Sequence, residues 1–221
     1  MDIEKPKISV IMPSLNVKEY IKECVDSVLN QTLKDIEVIF IDGGSTDGTL
    51  EILKEYVEKD SRTKLLMSNK KSYGHQVNLG LENAAGDYIS IIETDDFIQR
   101  NMFESLYGLT ENSNVDMVKG PFYYYDDSGI EPVITIETIK ERLPLHESFT
   151  IDGNEDMLDS HPSIWAGIYR KDFLNENDIH MIEAPGGGWV DNPFFFETIC
   201  LAKSIIYTNK PYYFYSSYRI Y

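Results

Sequence analysis

The chain is poor in cysteine, in positive charge and in long apolar runs, and each shortage removes a class of protein. Two cysteines in 221 residues, Cys24 and Cys200, make no disulfide framework. Both fall in helix-like patterns far apart in sequence, which suits buried thiols in a reducing compartment. Against 37 Asp and Glu stand only 20 Lys and Arg, a net charge of −17. No basic stripe exists to release counterions from a nucleic acid, and docking on an anionic membrane is disfavoured. No apolar run approaches the ~18 residues of a membrane span, and Met1-Asp2-Ile3-Glu4 is no signal peptide. A cytoplasmic location is expected, with membrane association only through partners or further domains. The sequence also lacks an internal repeat and a low-complexity linker. What remains is an ordered globular chain, 42% hydrophobic and 12% aromatic, long enough for one domain with a substantial core.

What the chain does have is alternation. Lys7 to Met12 reads as a buried strand stopped by Pro13. Asn16 is expected to cap a helix with Glu19 as capping-box partner, because Val17, Tyr20, Ile21, Cys24, Val25, Val28 and Leu29 recur at helical spacing. Ile36 to Ile41 is almost continuously apolar, as in a parallel strand covered on both faces. It runs into Asp42-Gly43-Gly44-Ser45-Thr46-Asp47-Gly48-Thr49, a glycine-rich turn opening a helix to about Val57. Such a turn lets backbone approach a ligand and favours anions, yet it has neither dinucleotide G-x-G-x-x-G nor P-loop spacing. Lys64 to Met67 is a third strand, a helix through Val77, Leu79, Leu81, Ala84 and Ala85 ends at Gly86, and Tyr88 to Ile92 is a fourth strand. This pattern predicts an α/β fold with a doubly wound, mostly parallel sheet flanked by helices.

Beyond residue 100 the pattern changes to a smaller, less regular part. Asn101 to Leu109 reads as a surface helix, Val115 to Val118 as a strand, and Gly120 to Arg142 as strands joined by a turn at Asp126-Asp127-Ser128-Gly129. Ser163 to Tyr169 is strand-like, with Trp165 expected in the core, and Lys171 to Asn175 is a short helix. The Gly186-Gly187-Gly188 loop precedes Pro193, which suits the first turn of a helix over Phe194 to Ala202. A strand pair near Ile205 to Tyr207 and Tyr212 to Ser216 closes the chain. Its last fifteen residues hold six tyrosines and stop at Arg219-Ile220-Tyr221 without a polar tail, which suggests a domain cut from a longer protein.

The fourth strand delivers Glu93-Thr94-Asp95-Asp96, three carboxylates within four residues. Like charges so close raise one another's pKa unless a cation neutralises them. Mn²⁺ and Mg²⁺ prefer oxygen ligands, and Mg²⁺ often divides its shell between one or two carboxylates and substrate phosphates. Open α/β sheets bind ligands at the carboxyl ends of their strands. The cluster therefore points to a metal–diphosphate site, with a solvated acidic turn as the alternative. Pro13-Ser14, Asp42-Gly43 and Glu93–Asp96 all end strands and are expected to converge on one edge.

Together, Ser9-Val10-Ile11-Met12-Pro13-Ser14-Leu15-Asn16, the 42–49 turn, Asn78-Leu79-Gly80, Gly86-Asp87-Tyr88-Ile89, Glu93-Thr94-Asp95-Asp96 and Trp189-Val190-Asp191-Asn192 follow an ordered pattern. In this order they resemble the family 2 glycosyltransferases, inverting enzymes of the GT-A fold, over nearly the whole chain. The resemblance implies that Pro13, Ser14 and Asp42 hold the nucleotide, Asp42 accepting a hydrogen bond from the uracil N3–H. Gly43 departs from a second aspartate common in the family. Glu93-Thr94-Asp95 corresponds to the family's Asp-x-Asp motif, with glutamate a departure in first place. Asp95 is then the ligand of Mn²⁺ or Mg²⁺, Thr94 belongs with the nucleotide-binding residues, and Glu93 and Asp96 support them. Asp191 is implied as the catalytic base, although Asp-Asn-Pro is also a helix-start sequence. Trp189 is a candidate to stack on a sugar and Lys71 to offset diphosphate charge, whereas His75 and His161 read as structural.

The implied activity is transfer of a hexose from a UDP-sugar to a hydroxyl of a glycan acceptor. Residues 1–100 would form the nucleotide-binding half of a single domain spanning 1–221, and 101–221 the acceptor-side half. A sugar-nucleotide nucleotidyltransferase is one alternative, although Pro13 to Tyr20 has neither the glycine nor the arginine of a phosphate loop. A non-catalytic binding module of the same fold is another. The sugar, the acceptor and any homo-oligomer or further domain are left open.

Overall fold

The computed structural model describes residues 5–111, 114–129, 131–137, 143–216 and 219. The N-terminal tetrapeptide, the last five residues of the 120–142 region and the Ile220-Tyr221 ending lie outside them.

The elements run β1 (Ile8–Ser14), α1 (Ile21–Leu29), β2 (Ile36–Asp42), α2 (Thr49–Lys59), β3 (Thr63–Met67), α3 (Tyr73–Asn83) and β4 (Tyr88–Ile91). There follow β5 (Phe97–Ile98), α4 (Met102–Gly108), β6 (Met117–Lys119), β7 (Phe122–Asp126), β8 (Val133–Glu137) and β9 (Ser148–Phe149). The chain ends with β10 (Gly167–Arg170), α5 (Lys171–Glu176), α6 (Asp191–Leu201), β11 (Ile205–Tyr207) and β12 (Tyr213–Ser216). An eight-stranded sheet has the order β3-β2-β1-β4-β10-β6-β11-β9, and β5-β12-β7-β8 form a second sheet of four.

The first four strands are parallel, as their apolar runs require of strands covered on both faces. Every residue of β1 is buried, and α1 turns Ile21, Cys24, Val25 and Val28 inward over the sheet. β10 then enters antiparallel to both β4 and β6. The strand that makes this joint is shorter and starts later than the strand-like stretch Ser163 to Tyr169 suggests, with only Gly167 to Arg170 extended.

Several local expectations are corrected. Asn16 does not cap α1, which starts five residues later behind Tyr20 without a side-chain cap. Instead Asn16 has φ +54°, and its Oδ1 accepts the Thr46 N–H at 2.8 Å, fastening the end of β1 to the glycine-rich turn. Asparagine tolerates that left-handed conformation better than most residues. The last long helix begins at Asp191 and not at Phe194, so Pro193 sits inside its first turn. Cys24 is buried as expected, but Cys200 is exposed. Trp165 is in the core. No helix among the described residues is long and apolar enough to cross a membrane.

Candidate functional site

Parallel register places Ser14 beside Asp42 at the carboxyl ends of β1 and β2. Asp42 is completely buried. Its Oδ2 accepts the N–H groups of Gly44 and Ser45 at 2.8 and 3.0 Å, the local bonding that makes aspartate a turn residue. Its Oδ1 is also buried and has no hydrogen-bond partner among the described residues. Leaving such an atom unsatisfied costs about 1–3 kcal/mol, which a ligand donor would recover. Ser14 donates its N–H to Gln76 Oε1 at 3.0 Å, and its carbonyl accepts the Gly43 N–H at 2.8 Å. A Cβ on Gly43 would come within 2.7 Å of Gln76 Nε2. The missing aspartate therefore has a physical reason: Gln76 occupies the space a side chain at 43 would need.

The acidic turn after β4 is tied to the same edge. The Thr94 hydroxyl donates to the Pro13 carbonyl at 2.9 Å. Asp96 points inward, its two oxygens accepting the Tyr213 hydroxyl and the Ser216 N–H at 2.7 Å each. Burial and the neighbouring Asp95 hold its carboxyl well above the usual carboxylate range. Tyr213 also accepts the Glu93 N–H at 3.2 Å, and its ring stacks on Trp165 at 4.1 Å. The Tyr73 hydroxyl donates to Glu93 Oε1. Burial, helped by the charges of Asp95 and Asp191, prevails over the Tyr73 bond and pushes Glu93 up to about 8. The Asp95 carbonyl accepts Arg219 Nη1 at 2.8 Å, and Arg219 also pairs with Glu23 and Asp127.

Asp191 opens α6, half-buried, and does not serve as the N-cap. Burial pushes its carboxyl above the ordinary value, and its charge is felt at Glu93 across the site. The preceding glycine loop is pinned to the start of α3: Gly186 donates its N–H to the Lys71 carbonyl at 3.1 Å and accepts the Tyr73 N–H at 2.9 Å. Gly74 allows this approach, since a Cβ there would lie 2.1 Å from the Ile182 carbonyl oxygen. Trp189 is 80% exposed with φ +59°, outside any packed layer. Lys71 is exposed, and no hydrogen bond or ion pair holds its ammonium among the described residues. Lys70 is engaged by Glu183, which also receives His75.

Pro13, Ser14, Asp42 and the 93–96 turn thus share one sheet edge, with Asp191 in electrostatic reach of Glu93. Trp189 and Lys71 stay at the solvent-facing rim. No set of three or more His, Cys, Asp or Glu side chains that could hold a metal is found among the described residues. With Asp96 committed to the protein and Glu93 bonded to Tyr73, the donor set fits a cation that draws most of its shell from a ligand and water. Gln76, Tyr73 and Tyr213 were not found from the sequence. Their partners lie 62, 20 and 117 residues away, and no short-range pattern marks such pairs.

Residues 9–177 match the family model described as glycosyl transferase family 2. The glycosyltransferase GlyG of Streptococcus pneumoniae serotype 4 is 30% identical over 214 residues, covering 94% of this chain and 70% of that protein. S. aureus TarS 1-349 superposes with a TM-score of 0.78 at 25% identity, over 96% of this chain and 60% of that one. A structure of TarS 1-349 in complex with UDP-GlcNAc gives a TM-score of 0.81 at 23% identity, covering 97% and 60%. The mannosyltransferase PcManGT from Pyrobaculum calidifontis, in complex with GDP-Man and Mn²⁺, shares the fold with a TM-score of 0.69 at 16% identity, over 97% of this chain and 58% of that one. The chain therefore spans 70% of GlyG's length and about 60% of the chain in each of the three structures.

Proposed function

The chain belongs to glycosyl transferase family 2, and on that premise we propose that it transfers a hexose from a UDP-sugar to a hydroxyl of a glycan acceptor, with inversion. The first hundred residues bind the nucleotide and the remainder faces the acceptor. The observation that carries the reading is the buried Oδ1 of Asp42, unpartnered among the described residues, at the edge that also bears the acidic turn. A uracil N3–H is a donor of the kind this oxygen lacks. The UDP-GlcNAc bound by TarS 1-349 supports a uridine donor on this fold.

In this reading Pro13 and Ser14 line the base and ribose, and Thr94 fixes the turn against Pro13 next to the nucleotide. Asp95, with the donor diphosphate and water, would hold Mn²⁺ or Mg²⁺, which when bound offsets the charge on the leaving nucleoside diphosphate. Glu93 and Asp96 shape the turn from behind through Tyr73 and Tyr213. Asp191 takes the proton of the acceptor hydroxyl as its oxygen attacks the anomeric carbon. The bond to the diphosphate oxygen breaks on the opposite face, and UDP leaves with that electron pair. A carboxylate raised above its ordinary pKa is a better base for this step. Trp189 at the rim stacks on a sugar, and Lys71 meets the diphosphate.

The test is turnover of UDP-glucose, UDP-galactose and their N-acetyl forms with Mn²⁺. Asp191→Asn should lower the rate by about 10²–10⁴-fold while leaving UDP affinity unchanged. Equal rates for both proteins would remove Asp191 from the chemistry. Metal-dependent thermal stabilisation by UDP supports the transferase reading, and no response to any nucleotide supports a binding module.

A further inference from the structure

The fold alone does not choose a nucleobase, since TarS is found with a uridine donor and PcManGT with a guanosine donor. The corner around Gly43 holds two hydrogen-bonding groups of opposite sense. One is the Asp42 Oδ1 acceptor, buried and without a partner among the described residues. The other is the amide of Gln76, a side chain only 3% exposed. Its orientation is fixed, because only its carbonyl oxygen can accept the Ser14 N–H. Nε2 therefore faces away from Ser14 and lies against Gly43, 2.7 Å from where a Cβ would be. No partner for that NH₂ is found among the described residues.

We infer that Asp42 and Gln76 together form the base-reading edge, with Asp42 accepting a ring N–H and Gln76 donating to the carbonyl beside it. This rests on the nucleotide-sugar reading above and adds a residue and a selection rule to it. Uracil presents N3–H next to O4, and with Gln76 donating to that carbonyl both protein groups are satisfied. Guanine presents N1–H next to O6, the same order. Cytosine presents an unprotonated N3 next to an amino group, and adenine an unprotonated N1 next to one. Either would set acceptor against acceptor and donor against donor. An unpaired buried polar group on both sides is the strongest ground for rejection a site of this kind has. The corner is thus built to take keto bases and refuse amino bases. Gly43 is part of the device, because only a residue without a side chain leaves Gln76 its place.

UDP and CDP share ribose, diphosphate and cation, so their affinity ratio isolates the base. Calorimetric titration of both into the chain with Mn²⁺ should favour UDP. Gln76→Glu keeps an acceptor for the Ser14 N–H but replaces the donor. It should weaken UDP about 10-fold and narrow the UDP/CDP ratio by at least as much. Gln76→Met, which removes the donor without adding an acceptor, should narrow the ratio less, and it gives the answer if the glutamate variant does not fold. Combining Gln76→Glu with Asp42→Asn reverses both groups and should turn the preference toward CDP. UDP binding with a ratio unchanged in both single variants overturns the inference and leaves the transferase reading standing. A native chain that binds neither nucleotide overturns both.

Discussion

The corner after β2 and the turn after β4 each bury an aspartate at the same sheet edge, and the two are finished differently. Asp96 has both oxygens engaged, by Tyr213 and Ser216. Asp42 has one oxygen engaged in its own turn and one that none of the described residues engages. Burial alone does not separate a carboxylate that holds the protein together from one that waits for a ligand. The number of unfilled acceptor positions does. By that measure Asp96 is a strut that fixes the turn carrying Asp95, and Asp42 is an open socket.

The contrast can be broken most sharply by removing the strut. Asp96→Ala strands the Tyr213 hydroxyl and the Ser216 N–H, at about 1–3 kcal/mol for each orphaned group, so the unfolding midpoint in urea should drop markedly. Asp42→Asn keeps a carbonyl oxygen for the Gly44 and Ser45 N–H groups and should leave that midpoint nearly unchanged while UDP affinity falls about 10-fold or more. If both variants lose stability alike, partner count does not distinguish the two aspartates.

A second contrast lies behind the site. Lys119 is buried against Ser163 and the Phe195 ring with its pKa lowered to about 7, burial being the cause. Its folded value is below the unfolded one, near 10.5, so the unfolded chain binds more protons between those limits. The cost of burying the charge is therefore fully present below pH 7 and fades as pH rises toward 10.5. Lys119→Met should be most favourable, relative to the native chain, at pH 6 and progressively less so at pH 8 and 10. A difference in unfolding midpoint that is flat across that range would contradict the buried-charge account. The smallest effect is expected at the rim. Trp189→Gly frees a left-handed backbone and an exposed ring, so stability should change by no more than about 0.5 kcal/mol. A large loss would mean that Trp189 packs against something the chain needs in order to fold.

These two regions also mark how far the sequence could be read. Asp42, Thr94 and Asp95 were legible because strand periodicity places the ends of β1, β2 and β4 side by side, and register does the rest. The partners that decide what each acid does were not. Gln76 looked like one polar residue in a helix, and nothing local says that its amide faces Gly43 across the sheet edge. Tyr213 sat in a tyrosine-rich tail whose role emerges only when β12 pairs in parallel with β7 and meets the acidic turn. The Asn16 capping expectation failed for the same reason: a distant turn, with Ser45 and Thr46, outbid the local helix for its polar groups. Lys71 was legible only as a charge: it is exposed at the rim, and nothing local marks what would engage it.

The most direct measurement is a crystal structure of the chain soaked with UDP and Mn²⁺. The account predicts the uracil N3 about 2.9 Å from Asp42 Oδ1, with the diphosphate beside Asp95 and on the Asp191 side of the turn. A uridine bound elsewhere, with Asp42 Oδ1 still bare, would contradict it.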